Sequence, residues 1–124
     1  MSNHEYYSRL RSTSDFPTTS QPPVGDFVKA FQKYGPEETY ICIVISELLS
    51  GTFHAAENAA AMLPDYDITV LDSRSTAMGL GFQILKAAEM GRQGFACDQI
   101  IQELVKMRAE IKVRFVVDNL EYLV

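Results

Sequence analysis

Apolar residues along the chain form two patterns, short continuous runs and stripes at helical spacing. The clearest run is YICIVI at 40–45, which is apolar on both faces and rich in β-branched residues. Such a run is typical of a central parallel strand that helices cover on both sides. A polar turn over 46–52 separates this strand from a helical stripe. The stripe consists of Phe53, Ala56, Ala60 and Leu63.

The remainder of the chain repeats the alternation of strand and helix. Short apolar runs predict a second strand at 67–71 and a third at 113–117. Helical spacing and end signals predict helices over 4–12, 26–34, 76–91 and 98–109, and a last one from 118 onward. This order predicts a three-layer α/β domain, with a mainly parallel sheet and helices on both faces. Gly79 and Gly81 are expected to allow close packing early in the helix predicted over 76–91.

Between the first two predicted helices, over 12–23, the composition changes to small hydroxyl residues and prolines. The prolines exclude a helix interior there. A Ser/Thr/Pro surface linker is the commonest explanation of such a stretch. The alternative is an ordered loop that presents the hydroxyls of Thr18, Thr19 and Ser20 to a ligand.

The turn Ser50-Gly51-Thr52 lies where a predicted strand ends and a predicted helix begins, the edge at which α/β sheets gather ligands. The free N–H groups of a first helical turn, together with the helix dipole, favour an anion. Gly51 has no Cβ and so lets a ligand approach the backbone, while Ser50 and Thr52 add hydroxyls. The plainer interpretation is that Ser50 only caps the helix. Both interpretations can hold, because a cap and a ligand compete for the same few N–H groups.

The composition argues against several classes of binding partner. The 124 residues carry a formal net charge of −5 and include no basic cluster, which argues against nucleic acid and against an anionic membrane surface. Cys42 and Cys97 form no CxxC motif and no Cys/His cluster, so they predict buried free thiols in a reducing compartment and no metal site. The polar N-terminus and the absence of a long apolar run predict no signal peptide and no membrane span, so a cytoplasmic location is expected.

Four short motifs follow one another along the chain. They are TSQP at 19–22 with GDF at 25–27, IS at 45–46 with LSGTF at 49–53, VLDSRS at 70–75 with Gly79, and FVVDNLEYL at 115–123. In order and spacing these motifs resemble the DegV family of bacterial fatty-acid-binding proteins. Each motif alone is weak, but the four in order are specific, and the resemblance covers nearly the whole chain.

The resemblance implies a two-domain protein of more than twice this length, so residues 1–124 are expected to be one partial, truncated α/β domain. The family's first strand and its C-terminal α+β domain have no counterpart in the chain. In the family a long-chain fatty acid, such as palmitate or oleate, lies between the two domains. With one wall only, the chain by itself is expected to hold lipid poorly.

The family also implies a binding site and a partner. Hydroxyls of the TSQ loop and of the SGT turn hold the carboxylate, which carries over to Thr19, with Ser20 as its neighbour, and to Ser50. Gly51 and Ser46, both on the turn over 46–52, are the further candidate ligand-binding residues. Some members present the acyl chain to a fatty acid kinase. The binding protein itself is implied to have no catalytic activity, cofactor or metal.

The chain departs from the family pattern at a few positions. Glu47-Leu48 replaces a small or polar pair, and Glu47 would repel a carboxylate unless it points to solvent. Ala96 replaces a Ser cap, a loss worth about 1 kcal/mol.

Two other functions remain as alternatives. A serine acyl hydrolase would use Ser50 as its nucleophile, although the turn lacks the glycine two residues before Ser50 and offers only His54, one helical turn further on, as a nearby base. A protein-interaction domain would use the sheet for protein contacts and carry no lipid.

Overall fold

The computed structural model describes residues 1–13 and 18–116, which fall into two compact units. The smaller unit contains helix α1 (Asn3–Ser12), which confirms the helix predicted over 4–12. Ser2 begins the helix with a capping box: its Oγ accepts from the Glu5 N–H at 3.3 Å, and its own N–H donates to the Glu5 carboxylate at 2.7 Å. The second of these hydrogen bonds is the larger cause of a lowered pKa at the Glu5 carboxyl.

The larger unit, Gln21–Arg114, holds a parallel sheet with helices on both faces. Its strands are β1 (Thr39–Val44) and β2 (Asp67–Asp72), and its helices are α2 (Val24–Gln32), α3 (Thr52–Ala61), α4 (Ala77–Arg92) and α5 (Cys97–Glu110). The register places Thr39 opposite Asp67 and Val44 opposite Asp72. The predicted α/β fold is thereby confirmed, with element ends that differ from the prediction by one or two residues.

Alternate residues of β1 pack into two separate hydrophobic clusters, one on each face of the sheet. Ile41 and Ile43 contact the cluster built mainly by α4 and α5, whose buried members are Leu71, Met90, Ile100 and Leu104. Tyr40 and Cys42 contact the cluster built mainly by α2 and α3, whose buried members are Phe31, Ala59 and Leu63. Successive residues of a strand point to opposite faces, and both faces of β1 are covered by apolar clusters. The strand is therefore apolar along its whole length.

Helix α3 lies against the rest of the unit through alanines. Ala56 and Ala59 have no exposed surface and Ala55 has 3%. The predicted stripe is therefore right at Ala56 and Leu63, whereas Phe53 and Ala60 are only half-buried. Because alanine occurs on every face of a helix, spacing alone does not identify Ala55 and Ala59 as buried.

The third strand predicted at 113–117 is not formed over its described part, residues 113–116. The side chains of Ile111 and Val113 instead lie over Gly79 in the first turn of α4, where a Cβ would approach them to 3.1 and 2.8 Å. The segment therefore packs on a helix and forms no ladder with the described strands. Residue 117 and the helix predicted from 118 lie outside the described residues. Close packing is confirmed at Gly79 but is wrong for Gly81, which has open space around it.

Hydrogen bonds cross-link the two loops that leave the carboxyl edge of the sheet. Asp72 Oδ1, at the end of β2, accepts from the Glu47 N–H at 3.3 Å and from the Arg74 N–H at 2.8 Å. The Ser46 N–H donates to the Ser75 carbonyl at 2.9 Å. The loop after β1 is thus held to the loop after β2 by both side-chain and backbone contacts.

Two long side chains, one from α4 and one from α5, donate hydrogen bonds to the backbone where the loop after β2 begins. Gln83 of α4 is fully buried and donates through Nε2 to the Ser73 carbonyl at 3.0 Å and to the Gly79 carbonyl at 3.1 Å. Arg108 of α5 donates to the Asp72 carbonyl at 2.7 Å. Arg74 has a φ of 49°, a left-handed conformation that is unfavourable for a non-glycine residue. These contacts hold the loop in that conformation.

Asp72→Ala should lower the free energy of unfolding by about 1–3 kcal/mol, because two N–H groups lose their shared acceptor. Asp72→Asn keeps an oxygen at this position and should retain most of the stability. Chemical denaturation measures the loss, and amide hydrogen exchange should show faster exchange at Glu47 and Arg74 in the alanine variant. Unchanged exchange at both amides would contradict the bracing role of Asp72.

Ala96→Ser should raise the free energy of unfolding by about 1 kcal/mol. Ala96 begins α5, and its N–H already donates to Gln99 Oε1 at 3.1 Å, which is one half of a capping box. A serine hydroxyl would supply the missing acceptor for the Gln99 N–H. Ala88→Ser, at an exposed position inside α4, is the matched control and should be neutral or slightly destabilising. Equal effects in the two variants would show that no cap had formed.

Candidate functional site

The turn between β1 and α3 is organised by Ser46, which is 5% exposed. Its carbonyl accepts from the N–H groups of Leu49 and Ser50 at 2.9 and 3.2 Å, and its Oγ accepts from the Leu48 N–H at 3.3 Å. Ser46 therefore shapes the turn that presents Ser50 at the amino end of α3. Glu47, on the same turn, is exposed to solvent.

Ser50 and Thr52 form a hydroxyl pair at the start of α3. Their oxygens are 2.8 Å apart, and Ser50 Oγ also accepts from the Thr52 N–H at 3.3 Å. Ser50 thus satisfies the Thr52 N–H, but it is not the helix cap, because the N-cap residue is Gly51. A pair of hydroxyls has two protons, and the bond between them uses one. Whichever oxygen donates, one proton is left that can be offered to an acceptor.

The backbone around this pair adds further donors. No hydrogen bond joins the N–H groups of Phe53 or His54 to another residue in the described parts of the chain. Free N–H groups in a first helical turn, with the positive end of the helix dipole, attract an anion. The site can therefore offer a hydroxyl proton and several N–H protons to a carboxylate.

The carboxamide of Gln21 lies directly against Gly51. A Cβ built on Gly51 would overlap Gln21 Oε1 and would come within 2.8 Å of Cδ and 2.9 Å of Nε2. A side chain at 51 would therefore have to displace the end of the exposed, flexible Gln21 side chain of the same unit. Sequence reasoning missed Gln21, although its place beside Thr19 and Ser20 in the TSQ motif was a signal.

The predicted site residues divide between the two units. Ser46, Ser50 and Gly51 lie on one turn of the larger unit, as predicted from their spacing. Thr19 and Ser20 are exposed residues of the smaller unit. The role of each of the five in binding stays a prediction.

A serine hydrolase needs a base that hydrogen-bonds to its serine, and no histidine hydrogen-bonds to Ser50 in this turn. Ser50 Oγ is bonded to Thr52, and His54 Nδ1 lies 3.4 Å from Glu57 Oε2 at the exposed surface of α3. Within the described ranges, no group of three His, Cys, Asp or Glu side chains could hold a metal ion. No helix of these ranges combines the length and apolar character that crossing a bilayer needs.

Both cysteines are free and only half-buried. Burial raises the pKa of the Cys42 thiol in β1. Burial, and then the charges of Asp67 and Asp98, raise the pKa of the Cys97 thiol. Thiols with raised pKa values are poor nucleophiles at neutral pH, so neither adds reactive chemistry to the turn.

The chain is similar to known proteins over almost its entire length. A model of the DegV family, described as uncharacterised proteins, matches residues 1–124. A DegV domain-containing protein of Listeria monocytogenes is 39% identical over 122 residues, which are 97% of this chain and 43% of that protein. The chain thus spans less than half the length of the curated relatives it matches.

Solved structures of DegV family proteins are also similar to this chain. The structure described as fatty acid binding of a DegV family protein from Thermus thermophilus has a TM-score of 0.80 and 32% identity, and the match covers 88% of this chain and 39% of that one. The crystal structure of DegV, a fatty acid binding protein from Bacillus subtilis, has a TM-score of 0.77 and 34% identity, with coverages of 86% and 38%. Family model, relatives and fold agree, and the chain belongs to the DegV family.

Proposed function

We propose that this protein binds a long-chain fatty acid, such as palmitate or oleate, and that the turn at the start of α3 receives the carboxylate. The observation that carries the proposal is the Ser50–Thr52 hydroxyl pair, with a spare proton beside free helical N–H groups. Several neutral donors suit a carboxylate without any cation. The similar proteins from Thermus thermophilus and Bacillus subtilis, both described as binding fatty acids, support the same ligand.

The apolar tail needs a surface that starts close to the carboxylate. Leu48 and Leu49 are 90% and 64% exposed on the same turn as Ser50. Burying a methylene group contributes about 0.8 kcal/mol, so contacts along the tail should supply most of the affinity. The exposed leucines are suited to form the first part of that surface.

The proposed site also includes Ser46, Gly51, Thr19 and Ser20. Ser46 and Gly51 act by shaping the turn. Thr19 and Ser20 enter through the family motif, which assigns a carboxylate contact to the TSQ loop. The motif also supports a fatty acid kinase as the partner to which the bound acyl chain is presented, with no catalysis by the binding protein itself.

Organic extraction of the full-length gene product, followed by mass spectrometry, should yield a long-chain fatty acid. Added palmitate or oleate should bind in a calorimetric titration. Finding neither a bound nor an added acyl chain would refute the proposal and favour a domain that contacts proteins only. Turnover of an acyl ester by the purified protein would instead favour a hydrolase.

Ser50→Ala and Thr19→Ala should each weaken fatty acid binding by about 1.5–3 kcal/mol, the range for hydrogen bonds to a charged group. The fatty alcohol of the same chain length carries no charge and should be much less sensitive. Ser8→Ala, on the exposed surface of α1, is the matched control. Equal losses of affinity for the fatty acid and the fatty alcohol would mean that the hydroxyls stabilise the fold and do not bind the carboxylate.

A further inference from the structure

The loop that joins β2 to α4, residues 73–76 and named here the β2–α4 loop, coincides with unfavourable backbone at two positions. Arg74 within the loop has a φ of 49°, and Ala77, which begins α4, has a φ of 46°. A left-handed backbone disfavours any residue with a Cβ, because the Cβ comes too close to a carbonyl oxygen. Among the described residues, only these two have a positive φ without being glycine. The strain is therefore concentrated in one short segment.

Two buried polar atoms at this loop add to the unfavourable terms. Ser75 Oγ and Gln83 Oε1 are buried, and neither has a hydrogen-bond partner in the parts of the chain that the structure describes. Ser75 Oγ lies over Gly79 of α4, in the space that a Cβ on residue 79 would need. A buried polar atom without a partner costs at least as much free energy as one hydrogen bond contributes. The observed conformation of the loop is therefore unfavourable by itself.

Hydrogen bonds from three neighbouring segments oppose these costs. Gln83 of α4 donates to the Ser73 carbonyl at 3.0 Å, and Arg108 of α5 donates at 2.7 Å to the carbonyl just before it. The Ser46 N–H donates to the Ser75 carbonyl at 2.9 Å, which joins the loop to the turn at 46–52. A few hydrogen bonds thus balance two strained residues and two unpartnered atoms. A balance of this kind is the condition under which a protein populates a second conformation.

We propose that the β2–α4 loop is a two-state conformational device that controls how firmly the turn at 46–52 is held. In its second state Arg74 and Ala77 leave the left-handed conformation, and the Ser75 carbonyl no longer accepts the hydrogen bond from the Ser46 N–H. The turn then loses its backbone link to the loop. No bound ligand takes part in this exchange, so the two-state loop holds or fails independently of the proposed function.

Ala77→Gly removes the Cβ that is strained in the observed state and should favour that state. In the full-length gene product, relaxation-dispersion NMR should detect conformational exchange at the Ser46 amide. The population of the second state should fall about fivefold in the variant, because glycine tolerates a left-handed backbone. Ala88→Gly, at an exposed position inside α4 without a positive φ, is the matched control and should leave this population unchanged.

Gly79→Ala should act in the opposite direction. Its Cβ would overlap Ser75 Oγ and would come within 2.8 Å of Val113 Cγ2, so the observed state becomes less favourable. The population of the second state should rise about fivefold or more, as expected for overpacking, and the Ser46 amide should exchange faster with solvent. Gly81→Ala, which meets open space on the same helix, should change neither measurement.

The four variants decide between a two-state loop and a static one. Opposite shifts for Ala77→Gly and Gly79→Ala, with both controls unchanged, would support the two-state loop. Absence of exchange at the Ser46 amide in both the wild-type protein and Gly79→Ala would refute it. Equal effects of Ala77→Gly and Ala88→Gly would also refute it, because they would report only a weaker helix. Should Gly79→Ala fail to fold, Arg108→Met, which removes a donor at the loop, should raise the same population.

Discussion

The parallel pairing of β1 with β2 is the constraint on which the rest of the structure depends. Parallel strands end at the same edge of a sheet, so the loops that follow them emerge side by side. Here Asp72 uses that proximity and accepts hydrogen bonds from both loops. These hydrogen bonds therefore fix the position of the turn that carries Ser50, so the donors proposed to meet a carboxylate are already ordered.

The donors described on the turn at 46–54 include no lysine or arginine side chain. They are hydroxyl and backbone protons, which are directional and weakly polarising compared with a cation. Such a set discriminates by geometry, because each proton must meet an oxygen at the right distance and angle. It also keeps the site compatible with an adjacent apolar surface, since neutral donors cost less to desolvate than an ammonium or guanidinium group does.

Patterning predicted the fold well and the site in part. The buried strand at 40–45 and the helices were readable because their apolar period is set by burial alone. The prediction of a third strand was wrong for its described part, since 113–117 has the composition of a strand, but Val113 packs over Gly79 of α4. The sequence placed the hydroxyls of Ser50 and Thr52 on one turn but not the hydrogen bond between them, and their role in binding stays a prediction. The Gln21–Gly51 contact joins residues far apart in sequence, and no local pattern encodes which side chain covers a glycine.

The buried alanines of α3 limit how this helix can move against the sheet. Ala55, Ala56 and Ala59 have no side-chain torsion to adjust, so α3 itself brings no rotamer freedom to this interface. The opposite cluster contains Met90, Ile100 and Leu104, whose side chains can change rotamer. A shift of α3 against the sheet would therefore open voids that no side chain of this face can fill, whereas a shift of α4 or α5 can be met by a change of rotamer.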